Sequence, residues 1–124
     1  MIFNQSATLK VGTDIITIDK SKIPYEFQYE VNGIVWTLGI KEHTFSGGQI
    51  RIDLKDESET LIVADWKPKY GIPLFYPYMQ DENGNLNQSM PAKYFTFQSV
   101  DGEEYDINYD NLETNVFLTV TDDI

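Results

Sequence analysis

The sequence predicts an all-β fold. It is either an antiparallel β-sandwich with jelly-roll or immunoglobulin-like connectivity or a small barrel. About eight to nine short strands are expected, with little or no helix. Three observations predict it. Asn32-Gly33 sits between two runs of alternating apolar and polar residues, the strongest short-range hairpin signal. Further alternating runs recur at short spacing along the chain. The 3.6-residue period of an amphipathic helix never persists. A chain of 124 residues is expected to form a single β domain, 1–124, large enough to bury a core.

Ala7–Val11 and Asp14–Ile18 are short β-type runs around Gly12-Thr13, suited to one bent strand or a tight hairpin. Asp19-Lys20-Ser21-Lys22 reads as a polar turn, and Pro24 marks the entry to the central hairpin. In Tyr25 to Ile40, a two-residue type I′ loop fixes the register. Val31 then faces Ile34, Tyr29 faces Trp36, Phe27 faces Leu38 and Tyr25 faces Ile40. Strand side chains alternate, so these eight share one face, and Glu26, Gln28 and Glu30 lie on the other. Such an apolar sheet face demands a second layer.

Gly47-Gly48 is a break before a second hairpin, Gln49–Lys55 with Thr60–Trp66. The pattern sets Leu54 against Leu61 and Ile52 against Val63. Gln49, Arg51, Ala64 and Trp66 then share the opposite face. Residues 67–92 hold four of the five prolines and a dense aromatic group, Tyr70, Phe75, Tyr76 and Tyr78. Proline is unwelcome in central strands, so a strand such as Leu74–Met79 is expected to be short or at an edge. A third hairpin is expected from Lys93–Ser99 and Glu103–Tyr109. A Val100-Asp101-Gly102 loop sets Phe97 against Tyr105 and Phe95 against Ile107. Asn115–Thr121 is the last strand, with Val116, Leu118 and Val120 on one side.

The net charge is −11. Nucleic-acid binding by counterion release needs a basic stripe, and there is none, so no direct nucleic-acid partner is expected. The acidic balance disfavours anionic membrane surfaces, and no apolar run is long enough to span one. The N-terminus lacks a basic start and an apolar core, so no signal peptide is expected, and the location is cytoplasmic or virion. There is no cysteine, which excludes disulfides and thiolate chemistry. No Lys or Arg follows Lys93. Asp101, Glu103, Glu104, Asp106, Asp110, Glu113, Asp122 and Asp123 all do, so the C-terminal part carries its own negative field.

No catalytic motif is present, so no enzyme is expected, and no cofactor. His43 is the only histidine and reads as a solvated loop residue. Asp81, Asn83 and Asn85 resemble the start of a calcium loop. The match fails at Leu86, where glycine is expected, and at Ala92, where glutamate is expected. A polar hairpin tip centred on Asn83-Gly84 fits better, and no metal site is assigned. Trp36 belongs to the hairpin's apolar face. Trp66 leads into the Pro-rich loop, where Trp66, Tyr70, Phe75, Tyr76 and Tyr78 could cover an open end of the sandwich or contact a partner. Glu104, Asp106, Asn108 and Asp110 are expected on the outward face of one strand. There they form either a solvated face or an acidic ladder that docks on a basic protein.

The leading expectation is a non-catalytic binding or assembly module working through protein–protein contacts, self or heterologous. Virion and phage-tail structural components are of this kind. An acidic inhibitor that covers a nucleic-acid-binding surface is one alternative. A carbohydrate-binding module using the loop aromatics is another.

Overall fold

The computed structural model describes residues 14–44 and 48–122. Seven strands form two antiparallel sheets, and no α-helix occurs among the described residues. In chain order they are β1 (Asp14–Ile16), β2 (Tyr25–Val31), β3 (Ile34–His43), β4 (Gln49–Lys55), β5 (Leu61–Trp66), β6 (Tyr94–Gln98) and β7 (Phe117–Thr121). One sheet is the meander β2-β3-β4-β5, and the other has the order β1-β7-β6. The result is a small β-sandwich. The predicted run Ala7–Val11 lies outside the described residues.

The central hairpin has the predicted register, from Val31↔Ile34 at the turn to Tyr25↔Ile40 at the open end. Asn32 and Gly33 take φ of 51° and 84°, the left-handed values a type I′ turn requires. The predicted apolar face points into the core through Val31, Trp36, Leu38 and Ile40, while Ile34 beside the turn stays exposed. Ile50, Ile52 and Leu54 of β4 extend this face, and Phe95, Phe97, Leu118 and Val120 oppose it from the other sheet. Tyr29 meets Phe95 edge-on across the layers, centroids 5.8 Å apart. Asp19 caps the predicted polar turn. Its Oδ1 accepts from the Ser21 N–H at 3.0 Å, and bonds from the Ser21 hydroxyl and N–H hold the Asp19 carboxyl below its ordinary pKa.

The second hairpin departs from the predicted register. Lys55 pairs with Leu61, Leu54 with Val63 and Ile52 with Trp66, so β5 carries two bulges. The first releases Leu61 and Ile62 to solvent. At the second, Asp65 adopts φ of 59° and its N–H donates to Asp53 Oδ1 at 2.7 Å. Each extra residue inverts the facing of the rest of the strand. Trp66 therefore lies opposite Ile52 and packs against the core, not beside Arg51 on the polar face.

The third hairpin does not form. β6 pairs with β7, setting Phe95 against Val120 and Phe97 against Leu118. Residues 103–109 form no named strand. Among the described residues, their sheet-like contact runs to the start of β4, which β5 leaves uncovered beyond Trp66. Gln49 bridges Asn108, the Ile50 N–H donates to the Ile107 carbonyl at 3.1 Å, and the Tyr109 N–H donates to the Gly48 carbonyl at 2.8 Å. The outward acidic ladder on one strand is thereby corrected. Glu104 and Asp106 are exposed, but Asn108 is half-buried at a bridge and Asp110 sits in the turn beyond.

Residues 67–92 are ordered by the other sheet. The N–H of Gly71 donates to the Phe97 carbonyl at 3.0 Å, and that of Leu74 to the Phe95 carbonyl at 2.7 Å. This segment thus covers the free edge of β6. Pro73, which has no N–H, falls between the two donors. The expected strand Leu74–Met79 is instead a left-handed Phe75, φ 61°, followed by a 3-10 turn over Tyr76–Tyr78.

Glu113 occupies a left-handed position after the buried Leu112, φ 62°, and its Oε2 is buried without a hydrogen bond. Desolvation pushes its carboxyl above the ordinary range, against a backbone hydrogen bond from Ile18 and the charge of Lys20. A raised folded-state pKa means that native stability falls as pH rises through that value. Glu113→Gln is therefore expected to melt higher than wild type at neutral pH. The gain should vanish below about pH 4, where both forms are neutral. Thermal melts across that range check it, and a pH-independent difference would refute it.

Candidate functional site

The bulge at Asp65 aims Trp66 at the start of the Pro-rich segment. There its indole packs edge-on against Phe75 at 5.9 Å and Tyr78 at 6.0 Å. Phe75 is fully buried, so it anchors the loop and offers nothing to a partner. Tyr70 is also structural. Its hydroxyl sits 2.8 Å from Ser99 Oγ and accepts from the Ser99 N–H at 3.1 Å, tying the loop to the end of β6. Tyr76 and Tyr78 are the aromatics left in solvent, 56% and 51% exposed, with Ile72 at 47%. The predicted aromatic group thus divides into two anchors, one half-buried indole and two exposed rings.

Two concavities flank the Lys67–Lys69 stretch. An apolar notch of ≈ 340 Å³ is walled by Trp66, Ile72, Tyr76 and Pro77. A polar cleft of ≈ 780 Å³ lies on its other side. Lys67, Lys69 and Tyr70 face Glu104, Tyr105 and Asp106 across it, with Gln49, Ile107 and Asn108 among the remaining lining. The structure therefore brings two separately predicted groups together, the loop aromatics and the acidic segment. The pairing of residues 107–109 with β4 makes this possible, because it carries the acidic stretch across to the Pro-rich loop. Asp110 is not part of the lining. The Tyr105 hydroxyl donates to Asp101 Oδ2, which holds the Asp101 carboxyl down and pushes the Tyr105 phenol up. That bond braces the turn from which the acidic wall starts.

Lys67, Lys69, Ile72 and Gln49 have no place in the sequence-based site, whereas Asn108, expected on the acidic ladder, lines the cleft from its bridge to Gln49. A signal existed for the lysines, since Lys67-Pro68-Lys69 is a cationic pair in a strongly acidic chain. None existed for Gln49, whose role comes from its long-range bridge to Asn108.

The remaining candidates lie elsewhere. Asp81, Asn83 and Asn85 form a hairpin tip closed by the Gln80↔Leu86 bridge, with Gly84 at φ 81°. Asp81 Oδ1 accepts from the backbone N–H groups of Asn83 and Asn85, both at 2.9 Å, an Asx turn that explains the alternation of oxygen side chains. His43 is not a loop residue. It ends β3, with Nε2 3.0 Å from Asp65 Oδ1. Lys41 and Arg51 approach the same carboxylate, each at 3.5 Å. This cluster is on the sheet's outer face and braces the bulge. Among the described residues, no group of acidic and histidine side chains is arranged to hold a metal ion.

No curated protein and no solved structure matches the chain. A family model does, described as cyanophage baseplate Pam3 plug gp18, over residues 13–123. That span takes in both sheets, the Pro-rich segment and the acidic segment, so the chain belongs to the Pam3 gp18 baseplate plug family, a family of phage structural proteins.

Proposed function

We propose that this chain is a non-catalytic, plug-type component of a phage baseplate, held in the virion by protein–protein contacts of its Trp66–Tyr78 surface and the adjoining cleft. The family match carries this reading. The surface supports it. Tyr76, Tyr78 and Ile72 are exposed on a segment that is itself fixed by Phe75 and by hydrogen bonds to β6. Rigid aromatic rings on a supported loop lose little entropy on docking and are typical anchors of interfaces. Among the described residues no helix is long and apolar enough to cross a membrane.

The reading is tested by incorporation into particles. Tyr76→Ala is expected to leave the melting temperature nearly unchanged, because its ring is already half exposed, and Tyr78→Ala to lower it modestly, because its ring also packs edge-on against Trp66. Each is expected to weaken incorporation about tenfold, the effect of losing an interface anchor. Mass spectrometry of purified virions quantifies the chain, and a chain absent from virions overturns the reading. Binding to a glycan array, with no capture by baseplate proteins, would favour carbohydrate recognition instead.

A further inference from the structure

The polar cleft and the apolar notch share Lys67, Lys69 and Ile72 in their walls, so they are neighbours that meet at the Lys67–Lys69 stretch. We propose that the two hollows together take an extended segment of a basic partner protein that crosses the Lys67–Lys69 stretch, with one bulky apolar side chain in the notch and Lys or Arg side chains against Glu104 and Asp106. The proposal rests on the assembly reading for the partner being a protein, and goes beyond it in naming the segment's chemistry.

The backbone is the first argument. Among the described residues, the N–H groups of Glu104, Tyr105 and Asp106 and the carbonyls of Glu104 and Tyr105 make no hydrogen bond. The neighbours on both sides are fixed. The Glu103 N–H donates to Asp101 Oδ1 at 2.9 Å, the Glu103 carbonyl accepts from Ser99 Oγ at 2.8 Å, and the Asp106 carbonyl accepts from the Asn108 N–H at 3.1 Å. Exposure alternates from Glu104 to Ile107 with the two-residue period of a strand. A held, strand-like stretch with free donors and acceptors beside a cleft is what strand addition uses.

Charge is the second argument. Glu104 and Asp106 make no ion pair with Lys67 or Lys69 across the cleft, nor with any other described residue. Lys67 and Lys69 match Glu104 and Asp106 in number within the lining, and the exposed Asp101 and Glu103 just upstream tip the region to negative. A second copy of this chain is a poor occupant, because its own net charge is −11. A basic segment is complementary. The notch supplies the third element, an apolar socket for one anchoring side chain, rimmed by exposed Ile72 and Tyr76.

The test is selection of short linear peptides by display on the immobilised folded chain, followed by titration of the selected peptide in amide-resolved NMR. The proposal expects a large apolar residue flanked by Lys or Arg. It also expects shifts at Glu104, Tyr105, Asp106 and the Trp66 indole. Affinity should fall about tenfold in Glu104→Gln/Asp106→Asn and again in Tyr76→Ala. N-methylation of alternate peptide bonds should abolish binding. These substitutions are on exposed side chains, and unchanged spectra elsewhere confirm the fold. No consensus, an acidic consensus, or shifts centred on β2 (Tyr25–Val31) would overturn it. A chain found in virions but lacking a basic-peptide site would keep the assembly reading and lose this one.

Discussion

Phe75→Ala is expected to destabilise the protein by about 3–5 kcal/mol, the usual cost of emptying a fully buried aromatic site. Phe75 holds φ of 61°, a region that costs a non-glycine residue about 1–2 kcal/mol. The conformation persists because it drives the ring into the core against Trp66, where burial and edge contacts outweigh the strain. Alanine keeps the strain and loses the burial. Trp66 then loses one of its two ring neighbours, and the Pro-rich segment loses its main anchor. Denaturant unfolding measures the loss, and tryptophan fluorescence should shift red before the global transition. A cost below about 1 kcal/mol would mean that the segment is held by its hydrogen bonds to β6 alone.

Asp65→Ala is expected to cost about 2 kcal/mol, divided between a left-handed backbone that alanine does not favour and the loss of a carboxylate shared by Lys41, His43 and Arg51. Asp65→Asn should cost less than half as much. Asparagine tolerates the left-handed region and keeps an oxygen toward the cations. Urea melts of the two variants separate the contributions. Equal losses would assign the effect to charge, whereas a large gap assigns it to the bulge. The bulge matters beyond stability, because it turns Trp66 inward and opens the notch beside it. Near-ultraviolet circular dichroism of Asp65→Ala should therefore report a changed Trp66 environment.

The central hairpin was legible because its determinants are local. Asn32-Gly33 admits one loop length, and the alternation on either side admits one facing. The Asp81 tip was legible for the same reason, since an Asx turn is specified by its own few residues. The face of β5 was not. Nothing in Leu61 to Trp66 announces that Asp65 will take a positive φ, and a single such residue reverses the facing of Trp66. The burial of Phe75 and the exposure of Tyr76, adjacent in sequence, come from another left-handed residue that composition does not reveal.

Pairing at long range is the larger gap. Lys93–Ser99 and Glu103–Tyr109 have the alternation and the Asp101-Gly102 turn of a hairpin, yet β6 pairs with β7, and 107–109 pairs with the start of β4. β7 sets Leu118 and Val120 against Phe97 and Phe95 on one edge of β6, and the backbone of Gly71 and Leu74 takes the other, so β6 has no edge left for 103–109. Turn chemistry, alternation and composition are enough for an all-β chain, the register of its central hairpin, its acidity, and the residues from which a surface could be built. Which of those residues meet depends on the packed fold. Alternating strands are interchangeable as partners until the whole core is packed. The cleft between Lys67–Tyr70 and Glu104–Asp106 exists because two segments far apart in sequence each fill an edge that the sheets leave open.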